Sequence, residues 1–300
     1  MMELNPVMVK ELRGRMRGPR AFILLTIYLG ILGGVMILLY LAIANSVGNS
    51  LNAGQEVGRG LFLTIATVAL IEVCIIMPTL TAGGIVGEKE RQTYDLLIAS
   101  QLSPWQIIWG KLGSALGFGL LLIIAIAPLM SIAFLFGGVS LTEVIIAILG
   151  LIATSVFFAS VGMFWSSVMQ STLGANSFAL GSIIAMLLGV PFLVFVISLI
   201  FDFSIWEESP ILIYLGLIFI SVHPFIALGM SEAFIIADEG VFLITLDLAN
   251  NITIVIPSPW IVFMILSFLF SVFFILISMR RLRPDDPTVK QHQKTPLKEL

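Results

Sequence analysis

Charged residues and cysteine are both scarce in this sequence. Lysine, arginine, aspartate and glutamate together make up 11% of it, less than half of the roughly 25% usual in soluble domains. Hydrophobic residues make up 59%, and a soluble fold of this length has no interior large enough for them, whereas lipid accepts them. The formal net charge of −3 gives no support for a nucleic-acid partner. Cys74 is the one cysteine, so no disulfide can form within the chain.

Motifs for catalysis and for metal binding are also missing. The sequence has no G-x-x-x-x-G-K-[ST] phosphate loop, since Gly110-Lys111 lacks the upstream glycine and the following hydroxyl residue. His223 and His292 lie far apart and Cys74 is distant from both, so no metal-ligand spacing occurs. No Ser/His/Asp motif or nucleophile elbow is evident. We therefore expect this chain not to be an enzyme by itself and to carry neither a cofactor nor a metal.

Long apolar runs are what the sequence does have. A helix that crosses a bilayer needs about 20 apolar residues. Six runs meet this length, namely 21–44, 61–86, 112–136, 141–168, 175–201 and 260–279. The sequence therefore predicts an all-α membrane protein with six transmembrane helices, in which residues 21–300 form a single transmembrane domain.

The basic residues give these spans a direction, because cytoplasmic segments of membrane proteins are enriched in lysine and arginine. With six crossings and the N-terminus inside, the basic residues of segment 1–20, of the loop 87–111 and of the tail 280–300 all fall inside. Arg59 alone falls outside. We therefore predict that the N- and C-termini are both cytoplasmic.

One further apolar stretch, 211–237, is broken midway by Ser221, His223 and Pro224. A single crossing by this stretch would place the basic tail outside, against the charge rule. We therefore predict a re-entrant helical hairpin before the last span, which enters from the outer face and turns near His223-Pro224. Such backbone is tolerated where it packs against protein. Two very short crossings are the alternative.

Segment 1–20 is predicted to form an interfacial connecting helix. Asn5 followed by Pro6 is a helix-start signal. Basic residues three or four positions apart share one helix face, and an apolar line occupies another. The basic face carries Lys10, Arg13, Arg17 and Arg20, and the apolar line carries Met8, Leu12 and Met16. Such a helix lies with its apolar side in the headgroup boundary and its basic side toward anionic lipid; a flexible basic flank is the alternative.

The loop 87–111 carries two helix signals. Thr93 to Ser100 can form a short amphipathic helix with acidic residues near its N-terminal end, where the helix dipole favours anions. Ser103-Pro104-x-Gln106 combines an N-cap, a proline at the first helical position and a glutamine two residues later, a capping box that begins the next helix. The loop therefore predicts a short charged helix tied to two spans, with a solvated connector as the alternative.

Three motifs resemble those of the permease subunits of type-2 ABC exporters. The run from Gly87 to Leu97 (GEKERQTYDLL), followed by LSP at 102–104 and GKL at 110–112, looks like their first cytoplasmic loop. The run from Asn5 to Arg13 (NPVMVKELR) is similar to their N-terminal connecting helix. Residues 223–228 (HPFIAL) resemble the Asn-Pro-Phe-type turn before their last span, with His223 in place of the usual asparagine.

The resemblance implies a function and partners. In that family two permease subunits, the same or different, pair in the membrane, and each docks on a separate ATP-binding subunit that holds ATP and magnesium. The loop helix lies in a cleft of that ATPase, whose closure rocks the spans. This chain is thus expected to be the permease subunit of an ATP-driven exporter in a bacterial or archaeal cytoplasmic membrane, coupled through the loop 87–106. The residues that the resemblance implies for this coupling are Glu88, Glu90, Arg91, Thr93, Tyr94, Asp95 and Leu97.

Glu72 lies near the middle of the second predicted span, where a charge costs about 2.5–3.5 kcal/mol and usually faces protein or water. One hypothesis places Glu72 on the substrate path at the subunit interface. The alternative is a protonated carboxyl group hydrogen-bonded to a neighbouring helix. Two other functions also stay open, namely a non-transporting membrane anchor that transmits ATPase motion to an outer partner and a secondary transporter.

Overall fold

The computed structural model describes residues 6–17, 19–47, 53–99, 102–200, 209–247 and 252–282. Parts of the predicted connecting helix (1–5 and 18), of the predicted loop (100 and 101) and of the predicted tail (283–300) lie outside this description. The helices are α1 (Pro6–Met16), α2 (Pro19–Val47), α3 (Ala53–Ala82), α4 (Val86–Glu90), α5 (Tyr94–Ala99), α6 (Pro104–Phe136), α7 (Leu141–Val168), α8 (Thr172–Ile200), α9 (Pro210–Ile220), α10 (Pro224–Ile236) and α11 (Pro259–Arg281).

Six of these helices are long and apolar enough to cross a membrane: α2, α3, α6, α7, α8 and α11. This confirms the prediction of an all-α membrane protein with six helices of spanning length. Helices α3 and α6 each begin eight residues before the predicted spans 61–86 and 112–136. Helix α3 continues through a polar segment at 53–60, and α6 begins at the N-cap Ser103. The capping box of Ser103 and Gln106 is present at the start of α6, as the sequence predicts.

Helix α7 lies at the centre of the bundle. In its most apolar segment 61% of the residues are buried, compared with 11% in α2 and 17% in α8. Its closest neighbour is α3, and the two helices approach at Gly162. A Cβ atom at Gly162 would lie 2.2 Å from the hydroxyl oxygen of Thr81 and 2.5 Å from the carbonyl oxygen of Pro78. Only glycine permits this separation, and small residues are what bring helices together where lipid gives no hydrophobic drive.

The stretch 211–237 forms two short helices, α9 and α10, joined by a turn at 221–223. His223 holds this turn with both ring nitrogens. Its Nδ1 atom accepts a hydrogen bond of 3.2 Å from the backbone N–H of Ile226 and so caps α10, while Nε2 donates to the carbonyl oxygen of Leu187 at 3.0 Å. Leu187 lies midway along α8, so the turn is level with the middle of that helix. Pro224 occupies the first position of α10, where a missing N–H costs nothing.

Replacing His223 with asparagine should keep the cap and lose the hydrogen bond to α8. We expect His223→Asn to lower the free energy of unfolding by about 1 kcal/mol and His223→Ala by about 2 kcal/mol, since alanine also loses the cap. Unfolding by SDS in mixed micelles, followed by tryptophan fluorescence, measures both. A His223→Asn variant as stable as the wild type would show that the bond to Leu187 contributes nothing.

A two-stranded antiparallel hairpin follows α10, formed by β1 (Leu243–Asp247) and β2 (Thr253–Pro257). Its inward side chains, Ile244, Ile254 and Ile256, pack against Leu217 of α9. The hydroxyl of Tyr214 in α9 donates to the carbonyl oxygen of Val255 at 2.7 Å. The prediction of an all-α chain omits this hairpin, because its strands have five residues each and apolar side chains on both faces.

Candidate functional site

Charged side chains from α1, α4 and α6 meet at one end of the bundle, where α3 and α7 end and α6 and α8 begin. We call this cluster the charged junction. It consists of Glu11 and Arg15 on α1, Glu88, Lys89 and Glu90 on α4, and Lys111 on α6. Each of these side chains pairs with an oppositely charged group or with the end of a helix.

Lys111 is the centre of the charged junction. Its side chain is only 4% exposed, and its ammonium nitrogen lies 2.8 Å from Glu11 Oε1 and 3.2 Å from Glu88 Oε1. A buried ammonium group is tolerated where it is paired and hydrogen-bonded. Glu11 and Glu88 therefore supply the countercharges of Lys111. The same two ion pairs connect α1 and α4 to α6.

Helix α4 connects the end of α7 to the start of α8. The ammonium group of Lys89 donates to the carbonyl oxygens of Ser167 and Met169, at 2.9 and 3.3 Å, where the helix dipole of α7 favours a cation. The carboxylate of Glu90 accepts from the backbone N–H of Thr172 at 2.7 Å, the first residue of α8, where the dipole favours an anion. One short helix thus caps two spanning helices with opposite charges.

The start of α4 is held to α7 as well. The backbone N–H groups of Ile85 and Val86 both donate to Ser166 Oγ, at 2.8 and 3.1 Å. A first helical turn has no backbone partners for its N–H groups, so the Ser166 hydroxyl satisfies donors that would otherwise be buried without one. Because α4 is bonded to α7 at both of its ends, the two move together.

Arg15 makes the same kind of contact to α3. Its Nη2 atom donates to the carbonyl oxygen of Leu80 at 2.8 Å, in the last turn of α3, where carbonyl groups lack helical partners. Burial lowers the pKa of Arg15, and the nearby charge of Glu11 raises it in part.

Helix α1 packs on α6 along a row of glycines. A Cβ atom on Gly110 would lie 2.6 Å from the Cβ of Val7, and one on Gly113 would lie 3.2 Å from the sulfur of Met8. Leu12 lies over Gly117 in the same way, at 3.4 Å. The glycines leave room for a second helix, as the small-residue pair at 113 and 117 allows.

The predicted interfacial helix therefore differs from the expectation in one respect. Two residues of its apolar line, Met8 and Leu12, contact protein rather than the headgroup boundary, whereas Met16 is exposed. Of the predicted basic face, Lys10, Arg13 and Arg17 are exposed, and the side chain of Arg20 lies outside the described residues.

The predicted coupling residues fall into two groups. Glu88, Thr93, Tyr94 and Leu97 are half-buried toward the bundle, and the Thr93 hydroxyl donates to the carboxylate of Glu88. Glu90, Arg91 and Asp95 are exposed. Helix α5 begins after Gln92, whose φ of 58° turns the chain between α4 and α5.

An exposed apolar side chain on α5 was not among those predicted. Leu96 on α5 is 72% exposed, whereas its neighbour Leu97 faces the bundle. Adjacent residues on a helix point about 100° apart, so Leu96 and Leu97 cannot share a face. The adjacent pair of leucines therefore indicated, in the sequence, that one of them faces away from the bundle. We call Arg91, Asp95 and Leu96 the outer face of the loop.

Glu72 is buried on α3, and neither of its carboxylate oxygens has a hydrogen-bond partner among the residues that the structure describes. The hydroxyl of Tyr28 on α2 is buried and unpartnered in the same sense. The hydrogen bond that the alternative hypothesis gives to Glu72 is thus not formed within the described ranges. The role of Glu72 on a substrate path stays a hypothesis.

No group of three or more His, Cys, Asp or Glu side chains in the described part of the chain is arranged to hold a metal ion. Comparisons of the sequence with protein-family models and with curated proteins give no match in either case. The function is therefore argued from the charged junction and from the resemblance of the motifs that form it.

Proposed function

We propose that this chain is the membrane-spanning permease subunit of an ATP-driven ABC exporter, paired with a second permease subunit and coupled to a separate ATP-binding subunit. The observation that supports this most is the charged junction. Helix α4 is hydrogen-bonded to Ser166, Ser167 and Thr172, and is therefore fixed to the end of α7 and to the start of α8. Motion delivered to α4 and α5 would therefore reach α7 and α8 directly.

The remaining contacts extend this path to other helices. Lys111 joins α4 to α6 through Glu88, and it joins α1 to α6 through Glu11. Arg15 joins α1 to the end of α3. A force on the loop is thus shared among α3, α6, α7 and α8, which is what alternating access by rocking of whole helices requires.

The outer face of the loop is the proposed contact with the ATPase. Arg91 and Asp95 offer one charge of each sign, and Leu96 offers an apolar side chain that no neighbour in the described chain covers. An exposed apolar side chain with charges around it is the usual composition of a protein contact. ATP and magnesium would be held by the partner, and this chain would contribute no catalytic group.

The proposed topology places the charged junction in the cytoplasm of a bacterium or archaeon, with both termini on that side. The hairpin of α9 and α10 would then enter the membrane from the opposite face and return to it. Its turn at His223 packs on α8 at Leu187 rather than on lipid, as a re-entrant segment requires. Helices α2 and α8, which the chain itself covers least, are left for lipid or for the second permease subunit.

Affinity purification of the tagged full-length chain from its native cells tests the proposal. Mass spectrometry should find a soluble protein with a phosphate-binding loop in the purified material. The double variant Asp95→Lys/Leu96→Glu should lose that protein at least tenfold, because it reverses a charge and removes an apolar contact on an exposed face. Glu90 is not a suitable test residue, because its carboxylate caps α8 at Thr172.

The matched control is Glu239→Lys, which reverses an exposed carboxylate on a segment far from the loop. It should retain the ATPase at the wild-type level. Recovery of the chain with no such partner, or equal recovery by the Asp95/Leu96 variant, would contradict the proposed coupling.

A further inference from the structure

A second polar site lies at the end of the bundle opposite to the charged junction. A partly open cavity of about 80 Å³ lies there between α3, α7 and α10. Most of its wall is apolar, from side chains such as Phe62, Leu151 and Leu228. Two carboxylates, Glu143 on α7 and Glu232 on α10, also line it. On α3 the cavity is lined by residues 62–70, so 12 residues, or about 18 Å of helix, separate it from the end of α3 at Ala82, beside the charged junction.

Both carboxylate oxygens of Glu143 already have a partner. One carboxylate oxygen lies 3.5 Å from Arg59 Nη2, and the other accepts a hydrogen bond from the backbone N–H of Ser140 in the capping box of α7. The side chain is 3% exposed. Glu143 thus has both a countercharge and a structural role at the start of α7.

Glu232 has neither. It is 9% exposed, and its Oε1 atom has no hydrogen-bond partner among the described residues. With both carboxylates ionised, the one arginine of the cluster Arg59, Glu143 and Glu232 leaves a formal charge of −1 beside an apolar cavity. A buried carboxylate oxygen left without a partner is costly, and native structures rarely keep one unless something binds there.

The chemistry of the cavity narrows what can bind. The ligand must bring one positive charge and a hydrogen-bond donor for Glu232, together with an apolar part for the walls. A calcium or magnesium ion needs about six oxygen ligands, and one free carboxylate among apolar side chains does not supply them. An engineered apolar cavity of about 150 Å³ binds benzene, so a volume of about 80 Å³ fits a smaller group of a few non-hydrogen atoms.

We propose that this cavity binds the ammonium group of an alkyl amine, with Glu232 as the anionic partner and with the walls of α3 and α7 around the first carbons. As a binding site it stands independently of the transport function. As the site that selects an amphipathic amine for export it rests on the proposed function.

Saturation-transfer NMR titration of n-butylammonium into the purified full-length chain, in phosphatidylcholine nanodiscs, tests this site, with empty nanodiscs as the baseline. We expect saturable binding that Glu232→Gln weakens at least tenfold. Glu239→Gln, which removes an exposed carboxylate just beyond α10, should leave the affinity unchanged. The affinities of n-butanol and of butyrate should each be at least tenfold lower than the affinity of the amine.

Unchanged affinity in Glu232→Gln, or equal binding of n-butanol, would overturn the proposal, and so would equal competition by sodium ions. If Glu232→Gln does not fold, Ala66→Phe fills the cavity from α3 without touching a charge and should abolish the same signal. Displacement of the amine by phosphatidylethanolamine in the nanodiscs would support the ammonium site and identify a lipid headgroup as its occupant. If affinity purification recovers no ATPase while the amine still binds, the proposed function is refuted and the proposed ammonium site is not.

Discussion

Replacing Lys111 with methionine should destabilise the protein more than the loss of any exposed lysine. Methionine keeps most of the buried stem and removes the charge, so Glu11 and Glu88 lose the ammonium group to which both are bonded. Removal of one partner from a buried ion pair costs roughly 3–5 kcal/mol. Because the side chains of Glu11 and Glu88 are 26% and 23% exposed, solvent screens part of that cost, and we expect a loss of about 2–3 kcal/mol. SDS unfolding in mixed micelles measures it.

Two further variants separate the ion pairs from a general effect of the substitution. Lys10→Met, at an exposed lysine on α1, should change the free energy of unfolding by less than about 0.5 kcal/mol. Adding Glu11→Gln and Glu88→Gln to Lys111→Met should restore much of the lost stability, because the two unpaired carboxylates disappear. Trypsin should also cut at Arg13 and Arg17 faster in Lys111→Met, since α1 loses its bond to α6. If the triple variant is no better than Lys111→Met, the charges do not explain the loss.

The parts of the charged junction that could be predicted from the sequence are the local ones. The capping box at Ser103 and Gln106 and the short helix of the loop follow from signals within a few residues of one another. The pair of Glu11 and Lys111 joins residues 100 positions apart, and no spacing within one helix relates them. The contacts of Lys89 and Glu90 with the ends of α7 and α8 were hidden for the same reason. Such pairs become visible when the helices are placed side by side.

The cavity near Glu232 was missed for a different physical reason. Glu232 is visible in the sequence as an acidic residue within the apolar stretch 211–237, but the charge rule tolerates acidic residues outside, so neither Glu232 nor Glu143 indicated a site. Glu72 gave the stronger signal because it lies near the middle of an unbroken apolar run. The environment of Glu232 is formed by α7 and α3, which bring Glu143 and Arg59 near it. An intramembrane carboxylate is conspicuous in sequence, but whether it has a partner depends on tertiary packing.

The second large effect is expected at Gly162, where α3 and α7 are in contact. In Gly162→Ala the new methyl group would lie 2.2 Å from Thr81 Oγ1, 2.5 Å from the carbonyl oxygen of Pro78 and 2.9 Å from its Cα. Two of these are backbone atoms, which cannot turn aside as a flexible side chain would. Overpacking costs about 1–3 kcal/mol and occasionally more, while alanine recovers about 1 kcal/mol of helix propensity. We expect a net loss of about 2 kcal/mol, measured by SDS unfolding.

Gly181→Ala on α8 is the matched control, because no atom lies within 4 Å of the position its methyl group would take. The same substitution in the same kind of helix should there leave stability unchanged or raise it slightly. Gly162 also lies about one turn before Ser166 and Ser167, the residues through which α7 contacts α4. Separating α3 from α7 should therefore loosen the charged junction, and Gly162→Ala should recover less of the proposed ATPase partner than Gly181→Ala does. Equal stability of the two variants would mean that α3 and α7 can part without cost, which is incompatible with a contact between their backbones at Gly162.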